Sequence, residues 1–252
     1  MRVVSLTCSN TEIVCALGLA DHLVGVDDHS DYPEPIVTRL PRVGPDLSID
    51  LDAVAALRPD LVLASLTVPG HERIVAALTQ RGLPFLAPEP VSLLDVYRDV
   101  RAIAGALDAL EAGERVVAEL LAAMPPQSPQ RRPRILVEWW PKPVIVPGRD
   151  SWVTDLLTLA GAENPFATRP VKSTPVSDQE VLEAAPDAIV IAWCGVPLHR
   201  YRRDIVQRRP AWAGLDAIRA DRIFPVSEAF LGRPGPRLRE GYDALRAIAA
   251  GC

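Results

Sequence analysis

The stretch "LRPDLVLAS", Leu57–Ser65, returns near the other end of the chain as "AAPDAIVIA", Ala184–Ala192. Each copy joins a Pro-Asp break to an apolar run of the length of one buried strand. The neighbourhood repeats as well. "LDAVAALRPDLVLAS" is matched by "DQEVLEAAPDAIVIA", and after each a loop with one histidine, His71 or His199, leads into another helix. Further upstream, "RVVSLT" is matched by "RILVEW", and "SNTEIVCALGLADHLV" by "SWVTDLLTLAGAENPF". The pattern predicts two α/β lobes of similar build.

In the first copy "RVVSL" reads as a buried strand, rich in β-branched residues. Ser9 and Glu12 read as a capping box opening a helix that stops near Gly18. "LVGV" (Leu23–Val26), "LVLAS" and "PFLA" are the next strands, with helices over Asp52–Leu57 and His71–Gln80 between them. Strands alternating with helices imply right-handed crossovers and a parallel sheet.

Ser92–Met124 differs in having no proline, and its apolar residues keep helical spacing past a weak spot at Asp108–Gly113. One continuous helix of that length would run to about 45 Å. "PPQSPQRRP" (Pro125–Pro133) then reads as a stiff polar linker. The expected organisation is a first lobe over 1–91, a backbone helix over 92–124, the linker over 125–133 and a second lobe over 134–252.

With 252 residues, 48% apolar and 23% charged, the chain has the balance of a globular protein. Its formal charge of -5 argues against nucleic acid as a partner. The four cysteines, Cys8, Cys15, Cys194 and Cys252, match no zinc spacing and read as small buried thiols. No apolar run is long enough to span a bilayer. Met1-Arg2 leads at once into a strand pattern instead of a secretory leader, so a cytoplasmic location stands beside an envelope one. Walker A, GxGxxG and GxSxG motifs are all missing, and no enzymatic chemistry is expected.

Ligands of parallel α/β sheets bind beyond the carboxyl ends of the strands, which for two lobes points to a cleft between them. The loops there offer Tyr32, Ser65, Trp139, Trp140, Arg149, Trp193 and Arg233. Indole faces suit a broad, flat ligand. Of the adjacent Trp139-Trp140 pair, one ring is expected inward and one outward. Arg149 and Arg233 would meet carboxylates or phosphate on the ligand. His29, with Asp28 and Asp31 nearby, is a candidate axial ligand to a metal already held by a macrocycle; a metal site made by the protein alone is not expected.

Taken together, "RVVSLTCSNTEIVCALGLADHLVGVDDHSDYP", "SIDLDAVAALRPDLVLA", "GAENPF", "VSDQEVLEAAPDAIVI" and "AFLGRPGPRL" resemble the class III substrate-binding proteins of ABC importers, most closely the cobalamin-binding branch. The resemblance spans nearly the whole chain. It implies a monomeric binding protein of the cell envelope, without a catalytic cofactor, that holds cobalamin or another corrinoid between two lobes joined by a rigid helix. It further implies docking on a permease dimer through one glutamate per lobe; Glu72 stands at the first position. The second departs from the pattern, because "GVPLHRYRRDIVQRRP" carries five arginines and one acid, Asp204. Ser65 and Leu86 stand where the cobalamin branch has aromatic residues. Alternatives are a haem or iron-siderophore carrier, the latter served by Arg200–Arg209 if that run faces inward, and a cytoplasmic relative outside transport. A fold-borrowing enzyme would call on Cys194 or His29 instead.

Overall fold

The computed structural model describes every residue, Met1–Cys252. The chain divides into two compact units, Met1–Pro90 with Asp95–Glu119, and Val91–Leu94 with Leu120–Cys252.

The first unit contains β1 (Val3–Ser5), α1 (Cys8–Ala16), β2 (Leu23–Val26), α2 (Glu34–Val37), α3 (Leu51–Ala56), β3 (Leu61–Leu63), α4 (His71–Gln80) and β4 (Phe85–Leu86). Its sheet has the order β2-β1-β3-β4, with every pairing parallel. Val4, Leu6, Val62, Ala64, Val54 and Leu78 are buried around it.

Two helices follow, α5 (Leu93–Ala106) and α6 (Leu110–Ala123). The single long helix expected over 92–124 is therefore broken, at the weak spot. Asp108 takes φ 54°, a left-handed conformation that ends a right-handed helix. The chain then folds back. The Arg101 guanidinium donates to both carboxylate oxygens of Glu114 at 2.7 and 2.9 Å. In one straight helix those residues would stand roughly 20 Å apart. Gly113 permits the approach, since a Cβ there would fall 2.6 Å from that of Ala104.

The second unit holds β5 (Ile135–Glu138), β6 (Trp140–Pro141), β7 (Val144–Pro147), α7 (Trp152–Leu159), β8 (Ser173–Val176), α8 (Asp178–Ala184) and β9 (Ala188–Ile191). After these come α9 (Arg203–Gln207), α10 (Asp216–Arg219), β10 (Ile223–Pro225), α11 (Glu228–Leu231) and α12 (Leu238–Ala250). Its parallel sheet runs β10-β9-β5, and a single parallel bridge from Arg134 to Glu163 stands where β2 stands in the first unit. A three-stranded antiparallel sheet, β6-β7-β8, has no counterpart in the first unit and departs from the expected repeat.

The repeated Pro-Asp pair has one structural job in both units. Asp60 Oδ2 accepts the N–H of Arg2 at 2.6 Å, while the Asp60 N–H donates to the Arg2 carbonyl at 2.8 Å. Asp187 Oδ2 likewise accepts the N–H of Arg134 at 2.7 Å and returns its own N–H to the Arg134 carbonyl at 2.7 Å. The next residues then pair, Val3 with Leu61 and Ile135 with Ala188. Even the backbone twist repeats, because the residue before each proline is left-handed, Arg58 at φ 47° and Ala185 at φ 42°.

Two local expectations are corrected. The N-cap of α1 is Thr7, and the Ser9 hydroxyl lies 3.4 Å from Thr7 Oγ1 instead of capping the helix. The real capping box is Ser177 with Glu180, at the start of α8. The stretch 125–133, expected as a linker, belongs to the second unit. Gln127 N–H donates to the Leu159 carbonyl at 2.7 Å, and Tyr242 Oη donates to the Pro125 carbonyl at 2.5 Å.

Two outcomes follow for thermal or denaturant unfolding. Ala185→Gly, which relieves a left-handed alanine, should leave stability unchanged or raise it by up to about 1 kcal/mol. Asp187→Ala, which orphans the Arg134 N–H, should lower it by about 1–3 kcal/mol.

Candidate functional site

In the first unit a buried polar network ties together the loops that follow the strands. Asp27, directly after β2, is fully buried and accepts from Ser30 Oγ at 2.5 Å and from the His29 N–H at 2.9 Å. Burial raises its carboxyl above the ordinary range, against the opposing pull of these hydrogen bonds. Ser30 Oγ lies 2.8 Å from Thr11 Oγ1 on α1, which reaches Ser5 Oγ at 2.9 Å. Arg42 closes the loop by donating to the carbonyls of Asp27 and Ser30, both at 2.7 Å. Asn10 adds the loop after β3 by donating to the Ala64 carbonyl at 2.7 Å.

This brace carries Tyr32 two residues beyond Ser30, 48% exposed. Ser65 is buried, with its hydroxyl 2.9 Å from Thr67 Oγ1, and belongs to a local turn. Leu86 is half-buried at the end of β4. Glu72 is exposed in the first turn of α4, where its Oε2 accepts the Gly70 N–H at 2.8 Å. His29 points to Asp46, 3.8 Å away, and the buried His71 stands 3.6 Å from the other oxygen of the same carboxylate. No group of three His, Cys, Asp or Glu side chains is arranged to hold a metal ion.

In the second unit the Trp139-Trp140 pair divides as strand alternation predicts: Trp139 is 8% exposed and Trp140 42%. Trp140 pairs with Ile145, and Ile145 with Pro175, so these three form one row across the antiparallel sheet. Trp140 and Pro175 are exposed and Ile145 half-buried, whereas Val144, Val146 and Val176 face the core. At about 4.8 Å between strands, the row is an apolar shelf roughly 10 Å wide.

Trp193 corrects the expectation of an open indole. It is 4% exposed, lies in the apolar core, and donates its Nε1–H to Glu138 Oε1 at 2.9 Å. Its ring packs tilted against Tyr201, with centroids 5.5 Å apart. Arg149 is exposed and paired with Asp150 at 3.0 Å, while Arg233 is largely buried, 3.7 Å from Glu228. The two expected anion contacts therefore each face a carboxylate of the chain.

The arginine-rich run is also largely compensated. Arg202 is bidentate to Asp204, Arg203 meets Asp221 at 2.7 Å, and Arg209 turns inward onto Glu138. An inward-facing anion pocket made of these arginines is thus not what the fold builds.

Residues missed in the sequence include Asp27, Arg42, Glu138 and Tyr201, while Arg209 is read there only as one arginine of a basic run. The signal for two of them was present: a carboxylate directly ending an apolar strand, in "LVGVD" and "ILVE". Cys194 is exposed and the other three cysteines are half-buried, against the expectation of small buried thiols; the groups packed beside Cys194, and secondarily Glu228, push its thiol up to about 12. Alkylation by iodoacetamide at pH 8 should therefore run slower than for a cysteine in an unstructured peptide.

Residues 3–228 match the family model described as periplasmic binding protein. An uncharacterized ABC transporter substrate-binding lipoprotein, YvrC, of Bacillus subtilis (strain 168) is 28% identical over 254 residues, covering 97% of this chain and 78% of that protein. The vitamin B12-binding protein of Vibrio cholerae (El Tor Inaba N16961) is 28% identical over 250 residues, covering 97% and 87%. Among solved structures, the periplasmic heme-binding protein RhuT from Roseiflexus sp. RS-1 superimposes with a TM-score of 0.81 at 27% identity, covering 98% of each chain. Members of this family are substrate-binding proteins and not enzymes, and the chain, with its two parallel-sheet units and its match over most of their length, belongs to the periplasmic binding protein family.

Proposed function

We propose that this protein captures a corrinoid, cobalamin or a close precursor, as the substrate-binding component of an ABC importer at the cell envelope. The observation that carries the reading is the apolar shelf of Trp140, Ile145 and Pro175. Its width of roughly 10 Å suits one face of a flat macrocycle. The similarity to a vitamin B12-binding protein supports the same ligand class.

Glu72 is the proposed permease contact. It is exposed, sits on the first turn of a regular helix and carries the charge that a basic permease surface would attract. No helix is long or apolar enough to cross a membrane, which fits a component that meets its permease from the aqueous side. Haem is the second reading, favoured by the likeness to RhuT and by the same flat shelf. Glu228 beside Arg233, and Asp150 beside Arg149, weigh against a strongly anionic ligand at those arginines.

Titration calorimetry against cyanocobalamin, its base-free precursor and haemin tests the proposal. One-to-one binding of a corrinoid at sub-micromolar Kd is expected. Trp140→Ala should then weaken it at least tenfold, a loss of about 1.4 kcal/mol or more. Binding of haemin alone would replace the ligand, and no binding to any of the three would overturn the reading.

A further inference from the structure

Glu138 and Arg209 form the most deeply placed ion pair of the second unit. The Glu138 carboxylate is wholly buried at the end of β5. It accepts from Arg209 Nη1 at 2.5 Å, from Arg209 Nη2 at 3.0 Å and from Trp193 Nε1 at 2.9 Å. Arg209 also donates to the Pro141 carbonyl at 3.1 Å, and its guanidinium lies 4.2 Å above the Trp212 ring. Trp212 is itself fixed by donating Nε1–H to Asp178 at 2.7 Å. One planar cation thus joins the end of β5, the β6 strand that carries Trp140, and the tryptophan that follows β9.

We propose that Arg209 is a positioning residue for the ligand-facing wall of the second unit. Through Glu138 it sets the angle of the Trp193 indole, and through Pro141 it sets the path of the strand that presents Trp140. The proposal rests on the binding function argued above. A buried ion pair is a poor source of stability, because apolar side chains of similar volume usually hold a core as well or better. What it supplies here is direction. Three N–H groups converge on two carboxylate oxygens, and the rigid fork allows one arrangement. The other side of Trp193 is held in the same manner. Tyr201 packs on its ring and donates Oη–H to the Trp193 carbonyl at 3.1 Å, while accepting the Glu228 N–H at 3.2 Å. Lysine at 209 would keep the charge but not the fork or the stacking on Trp212.

The test uses the full chain as wild type, Arg209→Lys, and the double variant Glu138→Met with Arg209→Met. Three quantities are measured. These are the thermal midpoint, the near-UV circular dichroism of Trp193 (each protein minus its Trp193→Phe partner), and the Kd for cyanocobalamin and haemin. The double variant is expected to keep its midpoint within a few degrees. Its Trp193 signal should change, and whichever probe binds wild type should bind at least tenfold weaker. Arg209→Lys should fold, shift the Trp193 signal and fail to restore full affinity. A folded variant with the wild-type Trp193 signal and wild-type affinity would overturn the proposal. Should the double variant not fold, Arg209→Lys decides by the same two readouts. If wild type binds neither probe, the functional reading fails; an unchanged Trp193 signal in the variants would then overturn the positioning role as well.

Discussion

Each unit depends on a pair of hydrogen bonds between an aspartate and the backbone one residue before the first strand. Asp60 grips Arg2, and Asp187 grips Arg134. In a parallel sheet the two strands of a crossover have no tight turn to fix their register. A slip of one residue would turn every side chain to the wrong face. The clamp removes that freedom, since carboxylate and amide together bind both polar groups of one residue. Val3 must then face Leu61 and Ile135 must face Ala188. The carboxyl ends of the strands are placed as a consequence, and with them the segments that bear Tyr32, Trp140 and Trp193.

The second constraint is the treatment of buried charge. Asp27 and Glu138 each end an apolar strand, and both are completely buried. Each is satisfied by several N–H or O–H donors, and an arginine closes each arrangement, Arg42 through the surrounding carbonyls and Arg209 directly. An unpaired carboxylate at such depth would be too costly to keep ionised. The two units have reached similar solutions with different residues, and in both cases the result is a stiffened strand-end loop. The arginine-rich run of the second unit reads differently in this light. Much of its positive charge is taken up by Glu138, Asp204 and Asp221, so the surface is less basic than the bare sequence implies.

The fold was legible where local pattern and long-range need coincide. The twin Pro-Asp phrases, the strand runs and the helix His71–Gln80 could all be read directly, because period, breaker and length agree there. The failures have physical causes. The apolar stripe of 92–124 continues across Asp108, and periodicity does not reveal one residue taking φ 54°. Ser9 and Glu12 have the spacing of a cap, but hydroxyl bonding with Thr7 and burial claim them first. "VIVPG" after two tryptophans gave no turn signal strong enough to announce an antiparallel sheet. Trp193 looked available because its partner, Glu138, lies 55 residues away in the chain. Alternation did separate Trp139 from Trp140, since it needs only the strand.

A crystal structure of the protein bound to a corrinoid would show where the macrocycle sits. One ligand is expected whose ring plane lies against Trp140, Ile145 and Pro175, with Trp193 still bonded to Glu138. A corrinoid seated away from that row, or a Trp193 indole swung off Glu138 to meet the ligand, would contradict that expectation.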